Sequence, residues 1–140
     1  MPTEAAHIAL AARNQKTIDY LLNDISAHSE WITTIAFYRA LHIVEALFSK
    51  DPRARHGTSH ERRDHLLKSD KRYSHIYKHY RPLWAASVVA RYLEDRVHTY
   101  GCFSEYLTPE QIKTEILGHR LCQIEKSAKK LLPSLSPEVT

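Results

Sequence analysis

Apolar residues recur three and four positions apart in five segments of this chain, the spacing of helices with one buried face. In the first, from about Glu4 to Ala27, the stripe is Ala11, Ile18, Leu21 and Ile25. Asn14 falls on the same stripe, so its amide is expected to find a buried partner. The second runs from about Glu30 to Ser49, with Ser29 as N-cap. One of its faces, Phe37, Leu41, Val44 and Phe48, is wholly apolar; another, Trp31, Ile35, Tyr38, His42 and Glu45, turns polar halfway along. Pro52 and Gly57 break the chain within a loop from Lys50 to Gly57. Thr58-Ser-His-Glu61 has the form of a capping box and opens a third helix through about Lys68. Ser69 to Arg81 reads as a short helix or an irregular connection.

Pro82 suits the first turn of a fourth helix reaching Tyr100, with Gly101 as its stop. Its core stripe is Ala86, Val89 or Ala90, Leu93 and Val97; the opposite stripe is Trp84, Ser87, Arg91, Glu94 and His98. Thr108-Pro-Glu-Gln111 combines a threonine cap, a proline at the first helical position and a glutamine at the third. It starts a fifth helix that runs to about Leu132 and stops at Pro133, with Gly118 marking a close helix contact. The expected fold is all-α: an antiparallel bundle of four to five helices, forming one domain over residues 1–133, with a disordered tail at 134–140.

Composition supports that outline. A chain of 140 residues can bury a core without disulfides or metal, and three glycines are too few for many tight strand reversals. No apolar run approaches the ~20 residues of a membrane span, so no membrane association is expected. The start, MPTEAAHIALAARN, lacks the basic and apolar regions of a secretion signal. Cys102 and Cys122 form no CxxC pair and suggest no disulfide framework, which fits a reducing, cytoplasmic setting.

The net charge of +4 is concentrated. Between Lys50 and Arg81 stand ten Lys/Arg against four Asp/Glu, with His56, His60, His65, His75 and His79 among them. Such a segment suits a polyanionic partner, because phosphates neutralised by lysine and arginine release their counterions. A plainly solvated helical surface is the alternative. The pairs His75/His79 and His56/His60 have the four-residue spacing of zinc ligands on one helical turn, but no third ligand stands at a diagnostic spacing. No metal or cofactor is expected.

Two helices carry a polar stripe on an otherwise apolar element: Tyr38, His42 and Glu45 on one, and Ser87, Arg91, Glu94 and His98 on the other. Polar groups buried together must satisfy one another or face a cleft. They form either a structural network, in which Glu45 and Glu94 hold His42 and Arg91, or a site.

The string Phe37-Tyr38-Arg39-Ala40-Leu41-His42-Ile43-Val44-Glu45-Ala46, then Ser59-His60-Glu61-Arg62-Arg63, then Ser87-Val-Val-Ala90-Arg91-Tyr92, resembles the HEPN superfamily (higher eukaryotes and prokaryotes nucleotide-binding domains). The similarity spans roughly Asn14 to His98 and is greatest to small stand-alone prokaryotic members. The resemblance implies a dimeric helical bundle. Many members are metal-independent endoribonucleases of toxin–antitoxin, CRISPR or antiviral systems, which would make an antitoxin or a defence-complex protein a possible partner. Others have lost catalysis and only bind nucleotides or RNA. Active members carry an arginine followed, four to six residues later, by a histidine. Arg91 and His98 fit with six residues between, as in spacing do Arg53–His60, Arg55–His60 and Arg72–His79. Arg91–His98 is preferred because the resemblance expects the pair there and both lie on a polar stripe. Tyr92 stands where active members commonly have a small polar residue, so the non-catalytic members are implied as well.

The chemistry of such a pair is definite. Cleavage of RNA by its own 2′-OH needs a base for that proton and an acid for the leaving 5′-oxygen, and histidine suits both near neutral pH. Charge building on phosphorus needs a fixed cation, which the planar guanidinium supplies. One His98 per chain leaves one proton handler short, so a homodimer is expected. His60, Arg63 and Lys68, around the third helix, are expected to grip phosphate, with backbone donors at that helix start assisting.

Overall fold

A computed structural model describes residues 2–52, 54 and 59–132. Its elements are α1 (Glu4–Leu21), a 3₁₀ turn (Leu22–Asp24), α2 (Ile25–Lys50), α3 (His60–Ser69), a second 3₁₀ turn (Lys71–Tyr73), α4 (Ser74–Tyr92) and a third (Phe103–Glu105). The C-terminal helix follows in three parts: α5 (Pro109–Gln111), a π-helical stretch (Ile112–Leu121) and α6 (Cys122–Leu131). Among the described residues the only extended pairing is an isolated bridge between Glu94 and Thr99, so the fold is all-α. The expected loop residues Arg53 and 55–58, including His56, Gly57 and the capping residue Thr58, lie outside the described residues, as do Pro133 and the expected tail.

Cross-helix contacts set the directions. Lys50 pairs with Glu4 (3.1 Å), His42 meets His7, and Arg39 donates to the Ala11 carbonyl, so α1 and α2 run antiparallel. α3 and α4 do the same through His60–Trp84 and Asp64–Arg81. So do α4 and the C-terminal helix, through His75–Gln123 and His79–Arg120. Ile43, Phe48, Leu67, Ile76, Leu83 and Ile124 fill the centre. Each such side chain contributes about 1.5–3 kcal/mol by leaving water. One 18-residue window within Glu4–Lys50 is apolar enough to span a membrane by composition, which amends the expectation above; 72% of it is buried in the bundle, as a core helix requires.

Several boundaries moved. A first break, not expected, falls at Leu22–Asp24, where Asp24 accepts from the Ala27 N–H, and the expected break after Ala27 is present as the non-helical His28. His28 (φ −125°, ψ 18°) kinks α2, and Ser29 donates to the Ile25 carbonyl (2.7 Å) instead of capping. Ser59 caps α3, accepting from the Arg62 N–H at 3.2 Å. Thus Arg62 occupies the third helical position, and Glu61 closes no box. Pro82 lies inside α4, not at its start. An internal proline costs about 3 kcal/mol, and burial of Ile76, Tyr80 and Leu83 along the same helix outweighs that.

α4 also stops at Tyr92, eight residues before its expected end. Leu93 adopts the left-handed conformation (φ 56°, ψ 28°) and donates its N–H to the Val89 carbonyl at 2.8 Å. The cause lies just downstream. One Asp95 carboxylate oxygen accepts from the backbone N–H groups of Val97 (2.8 Å) and His98 (2.7 Å), and the other from the Tyr100 hydroxyl. These contacts compete with helical hydrogen bonding. Val97, expected in the core, is 79% exposed. By contrast the Thr108–Gln111 capping box forms with both reciprocal bonds. Gly118 sits in the π-helical stretch, where a Cβ would come within 3.0 Å of the Lys113 carbonyl of its own helix. It marks that local geometry and not a close contact with another helix.

The π-helical stretch brings His119 and Arg120 against α4. His79 is buried there, its ring edge-on to those of His75 (4.9 Å) and His119 (5.1 Å), with Arg120 Nη1 3.2 Å from its Nδ1. A guanidinium only donates, so Nδ1 accepts and the neutral ring carries its proton on Nε2. Burial, and then the neighbouring His75, Arg120, His119 and Lys78, push the imidazole down to about 4. The unfolded chain therefore takes up a proton near pH 6.5 that the folded chain refuses until about pH 4. This contribution to stability is complete above pH ~6.5 and is lost on acidification towards pH 4, up to roughly 3 kcal/mol. Urea unfolding at pH 7.0 and 4.5 is expected to show a larger acid loss for the wild type than for His79→Gln. Parallel losses in the two proteins would contradict this account.

Candidate RNA-binding groove and its neighbouring loop

α3 and α4 diverge at the surface around a groove of about 510 Å³, lined by His60, Asp64, Lys68, Arg81, Trp84 and Arg96, among others. Trp84 is its platform. The His60 imidazole lies flat on the indole (4.2 Å between centroids, 5° between planes), and the Arg81 guanidinium sits 4.3 Å from the ring. Arg81 is steadied by Asp64 at 3.7 Å. Burial holds the His60 imidazole below its usual range; Arg81 and Arg63 push the same way, while Asp64 and Glu61 partly oppose them. Lys68, Arg81 and Arg96 around this stack offer cations to phosphates, while the indole already carries His60 and Arg81, so a base that stacks on Trp84 must take the place of the imidazole.

The loop after α4 continues this groove. Asp95, Arg96 and Val97 meet Trp84, Ala85 and Val88 around a smaller cleft of about 240 Å³. His98 is on this loop, not on α4, with its side chain 68% exposed and Nδ1 3.9 Å from an Asp95 oxygen. The backbone donors of His98 and Val97 hold the Asp95 carboxyl below the usual carboxylate range, so the loop keeps its anchor in mild acid. Arg91, in the last turn of α4, is tied back to the Ser87 carbonyl (3.1 Å) and hydroxyl (3.3 Å), and its guanidinium lies 5.5 Å from the Tyr92 ring. It also lines a cleft of about 290 Å³ with Glu30, Trp31, Thr34 and Ala90.

The expected polar network is divided among separate places. Glu45, buried on α2, takes Arg63 as its ion-pair partner (3.3 Å), not His42. Arg63 therefore points inward and does not grip phosphate at the surface: a half-buried guanidinium gains more from a buried carboxylate than from solvent. His42 meets His7, Nδ1 to Nδ1 at 3.1 Å, so one ring must donate and the other accept. Burial, His7 and Arg63 push His42 below its ordinary range. Ser87 is buried and donates to the Trp84 carbonyl. Glu94 is exposed in the loop and does not hold Arg91. Tyr38 is 38% exposed. Asn14 is only half-buried and makes no side-chain hydrogen bond among the described residues. His60 and Lys68 do line the groove.

For metal, Nδ1 of His79 is already occupied by Arg120, so His75 and His79 do not aim two lone pairs at one point. Among the described residues no three His, Cys, Asp or Glu side chains are grouped to hold an ion. Periodicity did not single out Arg81 and Arg96 as groove residues. Arg81 and Trp84, three apart before the end of a helix, were a legible pairing; Arg96 needed the loop. Comparison with family models, curated proteins and solved structures yields no match.

Proposed function

We propose that this protein acts on RNA as a HEPN-like module. Single-stranded RNA lies in the α3–α4 groove, and a homodimer cuts it without metal, using Arg91 and His98 from each copy. The observation that carries the reading is the Trp84 platform with Lys68, Arg81 and Arg96 around it, continuous with the loop that bears His98. Arg91 would stabilise charge on the phosphate, and His98 would move protons at the 2′ and 5′ oxygens. Support for two copies comes from the large aromatic side chains left at the surface: Trp31 is 62% and Tyr92 64% exposed, and Tyr38 lies two turns from Trp31. An antitoxin or defence-complex protein is a further partner on this reading.

A second reading has its own support. Arg91 is bound to Ser87, and Tyr92 follows it, as in a module that binds RNA or nucleotide without cutting. One set of measurements separates the two. Light scattering at tens of micromolar is expected to give a dimer; a monomer would remove the composite site. Trp84→Ala is expected to weaken single-stranded RNA binding by about 1–3 kcal/mol. Lys68→Ala should lower the salt dependence by about one unit of slope. Unchanged affinity in both variants would reject the groove. Wild-type cleavage that persists in EDTA selects the nuclease, and binding without cleavage selects the silent module.

A further inference from the structure

A cavity of about 530 Å³ lies away from that groove and, among the described residues, shares no lining residue with it. It opens between the start of α4 and α6. Arg72 and His75 form one wall, Lys126, Lys129 and Lys130 the other, and Gln123 and Ser127 supply polar groups between them. Among the described residues no carboxylate lines it. Asp70 and Asp51 hold Arg72 by its Nε and Nη2 edges, which orients the guanidinium. His75 Nε2 lies 3.3 Å from the Gln123 amide oxygen and so joins the two walls.

An ordinary solvated helix surface disperses its cations among carboxylates. Here three lysines fall within five residues, and none forms an ion pair among the described residues; Glu125, whose charge acts on Lys129, is itself bound to Arg39. Like charges three or four apart on a helix repel by a few tenths of a kcal/mol per pair. The last-turn position of Lys129 and Lys130 gives them the helix dipole as compensation, but Lys126 stands a turn earlier and gains little from it. A concave wall of one sign also focuses the field and raises the local concentration of counter-ions.

We propose that this cavity is a second binding site, for an anion with adjacent phosphate groups. The volume is in the range of small-ligand sites, and the donors are charged groups suited to phosphate oxygens. A free polyphosphate and the backbone of an RNA strand share this chemistry.

Calorimetric titration of the full chain with inorganic tripolyphosphate, and separately with a 5′-hydroxyl single-stranded oligoribonucleotide, tests the site. Lys126→Ala/Lys130→Ala is expected to weaken at least one of these probes by tenfold or more. The control pair Lys16→Ala/Lys113→Ala, exposed lysines elsewhere, removes the same charge and should have little effect. Loss for tripolyphosphate identifies a free-polyphosphate site, with amide shifts in NMR at Gln123 and Ser127. Loss confined to the oligonucleotide identifies the RNA backbone. Trp84→Ala should leave tripolyphosphate binding unchanged, so this site can stand if the groove reading fails. Equal losses in the two lysine pairs, or no loss in either, would overturn the proposal.

Discussion

On the proposed chemistry, His98→Ala is expected to slow cleavage of single-stranded RNA by ~10²–10⁴-fold, the usual effect of losing a general acid or base, with RNA affinity almost unchanged. The structure makes the substitution a clean one. His98 anchors its loop through its backbone N–H to Asp95, and the Leu93 carbonyl receives the Tyr100 N–H at 2.8 Å, so truncating the exposed imidazole leaves these bonds in place. Arg91→Ala should also cut the rate. Its cost to the fold is small, because Ser87 still donates to the Trp84 carbonyl and no carboxylate loses its partner. Arg91→Lys should restore little, since an ammonium cannot reproduce the planar fork. Cleavage that persists in His98→Ala, or that vanishes on chelation in the wild type, would reject the mechanism.

The largest expected loss of stability is at Arg39. This side chain is fully buried on α2, where it donates from Nε to Glu125 (2.9 Å) and from Nη1 to the Ala11 carbonyl, thereby connecting α1, α2 and α6. Its Nη2 has no hydrogen-bond partner among the described residues. Burial pushes the Glu125 carboxyl up, and Arg39 only partly offsets this, so desolvation outweighs pairing at that end. Removing one member of such a pair leaves the other charge buried alone. Arg39→Ala should therefore lower stability by about 3–5 kcal/mol in urea unfolding. Replacing both members with apolar groups, Arg39→Met with Glu125→Leu, should recover most of the loss. A single-variant loss below about 1 kcal/mol would show that water already solvates the pair.

The helices themselves were legible because their signals are local. Ala11, Ile18, Val44, Phe48, Ala86 and Val89 recur at helical spacing and are buried. The Thr108–Gln111 box needs only four adjacent residues and forms as its sequence indicates. The break expected after Ala27 is present as the non-helical His28, but the 3₁₀ turn at Leu22–Asp24 before it, with Asp24 as cap, was not read. The candidate site was less legible. The spacing of Arg91 and His98 suggested one helical face only on the premise that α4 continued to Tyr100.

By itself, then, the sequence determined an all-helical chain, most of the apolar positions that enter the core, the N-terminal cap of the last helix and a concentration of cations between Lys50 and Arg81. Tertiary structure alone decided where α4 ends and which polar groups meet. Pro82 is tolerated because the turns around it are buried, an energy no local window contains. Arg63 turns to Glu45, His42 to His7 and Arg39 to Glu125, 18, 35 and 86 residues apart in the chain. A buried charge or amide takes whichever partner the packing brings within about 3 Å, and that choice is made between helices, not along them.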